Sequence, residues 1–106
     1  MRFAFLALGA AAVLLGDGGR VGAVEPDDLP PGRGREETYY TCSACHSFSI
    51  VLQQGMSWGD WDEVIDWMIE EQGMSDLETE ERALILEYLS KNFGPDRPFW
   101  KQSRNR

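Results

Sequence analysis

Tyr39-Tyr40-Thr41-Cys42-Ser43-Ala44-Cys45-His46 is the stretch on which the reading of this 106-residue chain turns. It holds the chain's two cysteines and its single histidine. On a helical turn, residues three apart lie on one face. The thiols of Cys42 and Cys45 are therefore expected to point the same way, with the imidazole of His46 next to them. Three ordinary uses of such a trio compete. A redox dithiol of the thioredoxin type belongs to a strand-rich fold, and no strand pattern is visible. Zinc needs four ligands, so a carboxylate would have to complete the set. A structural disulfide across so short a loop contributes little and leaves His46 without a role.

The fourth use fits best. Cys42-Ser43-Ala44-Cys45-His46 matches C-x-x-C-H, the pattern of covalent haem attachment. Two thiols on one face can reach the two vinyl groups at a porphyrin edge, and the adjacent imidazole can then ligate iron. A small domain struggles to bury enough apolar surface unaided. A covalently bound haem would act as staple and as much of the core. Because His46 is the only histidine, ligation by two histidines of one chain is excluded.

Outward from this motif the pattern is helical. A first helix is expected from about Glu36, carrying Tyr39, Tyr40 and the cysteines. Glu36 and Glu37 suit its positive N-terminal end. A second is expected from Trp58 to Gln72, with Ser57 as N-cap and Asp60 third in the helix. Trp61, Ile65 and Met68 fall at i, i+4 and i+7, Asp62, Glu63, Asp66, Glu70 and Glu71 fill much of the rest, and Gly73 is a natural stop. A third helix is expected after Thr79 as cap, with Ala83, Leu84, Leu86, Tyr88, Leu89 and Phe93 apolar and Gly94-Pro95 ending it. The fold class that follows is all-α, about three helices wrapped around one haem. Phe48, Leu52, Trp58, Trp61, Ile65, Leu77 and Tyr88 are expected to line the haem crevice, Trp61 and Tyr88 packing on the group. The indole N–H of Trp61 could instead reach a propionate.

The flanks read differently. Arg2 followed by an uncharged apolar run to Gly16 and the small residues Val21-Gly22-Ala23 reads as an export signal, residues 1–23, cleaved after Ala23. The run is too short for a membrane span, which needs about 20 residues. Export places the chain in the periplasm, without membrane insertion of the mature domain. Residues 24–35, with three prolines and two glycines, read as a flexible lead-in. Residues 36–95 form the haem domain, and residues 96–106 a basic aromatic tail with Phe99 and Trp100. Residues 24–106 hold eight basic and seventeen acidic side chains, net −9. That balance argues against nucleic acid, whose binders carry basic patches.

The remaining question is the second axial ligand. The candidates are Met56, Met68 and Met74. Met56 lies ten residues after His46, a taut reach of ~33 Å at full extension. Met74 follows Gly73 in a loop, and Met68 sits on an apolar stripe where core packing is the ordinary use of Met. Spacing alone leaves Met68 and Met74 both open.

From Cys42 to Gly94 the sequence resembles small periplasmic monohaem cytochromes, and is similar in particular to the haem c subunit of bacterial sulfite dehydrogenases. The residues carrying the resemblance are Cys42, Cys45, His46, Trp61, Met68, Gly73, Tyr88, Leu89, Phe93 and Gly94. The chain departs between His46 and Trp61, where it is Gln/Gly-rich with an extra Trp58. The resemblance implies iron held by His46 and Met68, with Met74 second in line. It also implies an electron carrier or a non-catalytic cytochrome subunit with redox protein partners: a periplasmic molybdenum oxidoreductase as donor and another cytochrome as acceptor. The competing expectations are a gas-binding or sensing haem protein with an open distal position, and a thiol protein without haem.

Overall fold

The computed structural model describes residues 23–97. The export-signal reading, apart from Ala23, and the tail aromatics Phe99 and Trp100 lie outside the described residues. Four α-helices form, α1 (Arg35–Cys42), α2 (Ser49–Leu52), α3 (Trp58–Glu71) and α4 (Thr79–Asn92), preceded by a 3-10 turn at Pro26–Asp28. Among the described residues there is no strand. The all-α expectation holds, with the short α2 as an addition that a three-residue apolar run after Ser49 could not announce.

α4 is the hub. It packs against α1 on one side and α3 on the other. Gly34, the N-cap of α1, has φ +92°, and a Cβ there would stand 2.9 Å from the Leu84 carbonyl oxygen and 3.1 Å from Tyr88 Cβ. Only glycine accepts both that dihedral and that approach, so the crossing of α1 and α4 is set by one residue. On the other side, Arg82 ties the start of α4 to α3. Its Nη2 lies 2.6 Å from Oδ1 of both Asp62 and Asp66, and its Nε donates to Asp62 at 2.9 Å. The Ser57 hydroxyl accepts the Asp60 N–H, capping α3 as expected. α4 begins one residue early, with Glu78 as N-cap and Thr79 inside the helix.

The core comprises Leu29, Phe48, Val51, Trp61, Ile65, Ile85, Leu86, Tyr88, Leu89 and Phe93. Leu29 corrects the reading of residues 24–35 as a free lead-in. It is buried, and Tyr88 Oη donates to the Pro30 carbonyl at 2.5 Å, with Tyr39 Oη donating to that of Val24 at 2.6 Å. A buried phenol and a partly buried one thereby find acceptors in a segment whose prolines leave carbonyls unpaired. Arg97, expected in the tail, is buried too. Its guanidinium lies over the Phe93 ring, 5.6 Å from the centroid, and donates to the Leu52 carbonyl.

Candidate functional site

α1 ends at Cys42, not beyond the second cysteine. Ser43 caps it, its N–H donating to the Tyr39 carbonyl at 2.9 Å. Cys45 and His46 therefore stand in a turn between α1 and α2. Cys42 is half-buried against the core, Cys45 is exposed, and both thiols are free. Shared helical phase does not align the two cysteines, as the spacing argument supposed; the turn after Cys42 does. Both line one cavity.

That cavity has a volume of about 680 Å³, within the ~300–1,000 Å³ of ordinary small-molecule sites. His46 lines it with the cysteines, and α3 contributes Trp61, Val64, Ile65, Trp67 and Met68. Ile85 and Leu89 of α4 form its floor. Met56, Met68 and Met74 all reach it. Gly73 explains the third. With φ +74° it turns the chain back at the end of α3, so that the Met74 N–H joins that of Gln72 on the Met68 carbonyl, at 3.0 and 3.1 Å. A left-handed residue after a helix does this with little strain only when it is glycine. The reversal sets Met74 beside Met68 on the same cavity.

His46 Nδ1 lies 3.1 Å from the Ser47 carbonyl oxygen. A carbonyl can only accept, so in the neutral ring Nδ1 is the nitrogen that carries the proton and Nε2 the one with the lone pair. A carbonyl accepting from one ring nitrogen is the arrangement that prepares the other for a metal. Burial pushes the Cys42 thiol up to about 12. It is therefore protonated at neutral pH, unlike the lowered thiol of a dithiol oxidoreductase. Among the described residues, no group of three or more His, Cys, Asp and Glu is gathered as a zinc ion requires.

Four of the expected crevice residues stand elsewhere. Tyr88 faces Gly34 and the lead-in rather than the cavity. Phe48 packs in the core against Tyr39 and Phe93, Leu52 gives its carbonyl to Arg97, and Trp58 is exposed. Trp61, Ile65 and Leu77 do line the cavity. The Trp61 indole N–H donates to the Phe93 carbonyl at 3.0 Å and is buried there, which corrects the alternative in which it met a propionate. Sequence reasoning missed Val51, Trp67, Ile85 and Leu89 as lining residues. The last two stood in its apolar set or beside it, at positions whose side of the helix only the packing fixes.

An iron porphyrin is consistent with these residues on the donor set. The thiols, an imidazole with a free nitrogen and three thioethers line a mostly apolar space. No protein-family model matches the chain, and neither a curated protein nor a solved structure matches it. Among the described residues no helix is long and apolar enough to cross a membrane.

Proposed function

We propose that this chain is an exported electron carrier of the monohaem c type, working in the periplasm with redox protein partners. The observation that carries the reading is the convergence of Cys42, Cys45, His46, Met56, Met68 and Met74 on the lining of one mostly apolar cavity. The residues that would hold the group are Cys42 and Cys45 through thioether bonds, and His46 and Met68 at iron. Each thiol would add across a vinyl double bond, its sulfur and its hydrogen both ending on that side arm, so no oxidant or reductant is required. When bound, haem supplies a one-electron couple between ferrous and ferric iron.

The chain's own residues do the rest. Ser47 fixes the His46 tautomer. α3 presents Met68 from a helix capped at one end by Ser57 and tied by Arg82, so the sulfur sits on a braced element. Imidazole–thioether ligation raises the potential relative to two imidazoles. Apolar walls from Val64, Ile65, Ile85 and Leu89 limit solvent and favour the less charged reduced state. The choice of Met68 over Met74 rests on the Trp61-to-Met68 spacing of the resembling cytochromes. The likeness to sulfite dehydrogenase subunits supports a molybdenum enzyme as donor and another cytochrome as acceptor.

The experiment is expression with export in a host able to mature c-type cytochromes. Haem that stays on the chain through a denaturing gel, lost in a C42A/C45A double variant, is the expected result. A colourless exported product would remove the proposal. M68A should lose the low-spin spectrum and the weak near-infrared band of an Fe–S bond, while M74A keeps both. The opposite pattern would name Met74 as the ligand. Ready carbon monoxide binding by the unaltered high-spin protein would favour the gas-binding alternative.

A further inference from the structure

The outer face of α3 is built against the interests of the fold. Trp67 is 54 % exposed and Ile50 of α2 is 47 % exposed, yet both line the cavity, so they form its mouth. On a helix the surface neighbours of Trp67 are the residues three and four away, here Val64 on the cavity side and Glu63, Glu70 and Glu71, with Asp60 two turns back. All four carboxylates are exposed, and among the described residues none makes an ion pair. α3 contains no Lys or Arg, and its last turn, where cations are favoured by the helix dipole, holds Glu70 and Glu71 instead. Arg82 neutralises only Asp62 and Asp66, on another side of the helix. A group bound in the cavity would cover part of the indole, but neither burial nor helix stability accounts for the unmatched carboxylates that frame it.

We infer that the α3 face centred on Trp67 is the docking surface for a basic redox protein, which places an apolar spot fringed by Lys or Arg over the cavity mouth. The identification of the partner as a redox protein rests on the haem reading; the face itself does not. Charge decides the occupant. Residues 24–106 carry eight basic and seventeen acidic side chains, net −9, so a second copy of the same surface is repelled and a cationic partner is steered in. An Arg or Lys of that partner can lie on the Trp67 ring, where cation–π attraction and the carboxylate frame act together. The indole at the mouth is the apolar anchor such contacts use.

The test uses the full chain as purified after export, labelled with ¹⁵N, and a lysine-rich mitochondrial-type cytochrome c as the basic probe. Chemical-shift changes should centre on the Trp67 indole N–H, Glu63 and Glu70, and binding should weaken steeply as salt rises. W67A should lower affinity roughly tenfold, and E63Q/E70Q should lower it and flatten the salt dependence. E36Q/E37Q, on α1, should change neither. Shifts spread evenly over every acidic surface, or unchanged affinity in both Trp67 and Glu63/Glu70 variants, would overturn the inference. Tighter binding by W100A would assign the face to the chain's own tail, and self-association abolished by W67A would assign it to a second copy; each overturns it. The denaturing-gel haem stain reads the haem proposal separately. A colourless chain that still gives the Trp67-centred map would sink that reading and leave the docking face standing.

Discussion

The two sides of α4 are finished to different degrees. On the side facing α1, Tyr88 meets Gly34 and its hydroxyl ends on Pro30, while Leu29 closes the edge. Every large group there has a protein neighbour. On the side facing α3, Ile85 and Leu89 border a 680 Å³ hollow whose rim exposes Trp67 and Ile50. Native interiors are close-packed, and a domain of this size has little apolar area to spare. The difference teaches that packing is complete on one side of α4 and incomplete on the other, where the proposed haem would supply the missing neighbours.

The largest expected effect breaks the comparison on the open side. C42A/C45A should remove the attachment of the haem proposed to fill the hollow. Total stability for about 75 ordered residues is expected near ~4–11 kcal/mol, and most of it should disappear. Calorimetry should show a broad or absent unfolding transition and weakened near-ultraviolet dichroism. A sharp transition little below that of the coloured protein would mean that the open side is self-sufficient.

On the closed side the matching variant is Gly34→Ala. A left-handed dihedral costs a non-glycine residue about 1–2 kcal/mol, and the methyl would press on the Leu84 carbonyl at 2.9 Å, where overpacking adds about 1–3 kcal/mol. A loss of about 3 kcal/mol in denaturant unfolding is expected, with the visible spectrum of the surviving folded protein unchanged. A shifted spectrum would show the two sides to be coupled.

Trp61 sits between them, lining the hollow while its N–H serves the Phe93 carbonyl. Trp61→Phe keeps most of the apolar surface and removes one hydrogen bond, a loss of about 1 kcal/mol. The Phe93 carbonyl retains the Met56 N–H, 2.9 Å away, so no buried acceptor is stranded. Stability should fall by that amount in equilibrium unfolding, with little change in redox potential. A large change in potential would restore a polar role for the indole toward the bound group.

How much of this was legible in the sequence follows from the same division. α3 and α4 were readable because their apolar periodicity is long and their ends carry caps and stops: Ser57, Gly73 and Gly94. The donors Cys42, Cys45, His46, Met68 and Met74 were readable because each belongs to a rare residue type at an interpretable spacing. The closed side was not readable. Nothing local marks Gly34 as a crossing point, since its neighbours Leu84 and Tyr88 lie some fifty residues away. A Pro-rich lead-in looks solvated until Pro30 is seen accepting from Tyr88. Tyr88 itself shares a helix with cavity residues, and periodicity alone does not tell which neighbour each side of a two-faced helix meets.

The smallest expected effect concerns that same tyrosine. Tyr88→Phe removes the bond to Pro30 and should lower stability by about 1 kcal/mol at neutral pH. The alkaline limb separates this from a simple packing loss. Burial pushes the Tyr88 phenol from its ordinary 10.0 up to about 12. The folded chain thus keeps a proton that the unfolded chain loses first. Below pH 10 its contribution is complete; between pH 10 and 12 the unfolded state binds fewer protons, so stability falls as pH rises. In Y88F that part of the fall is absent, so the gap between the two proteins should close as pH rises above 10 when their unfolding free energies are compared. Parallel curves across that window would show that the phenol ionises equally in both states, and that the closed side of α4 is more open to water than its packing implies.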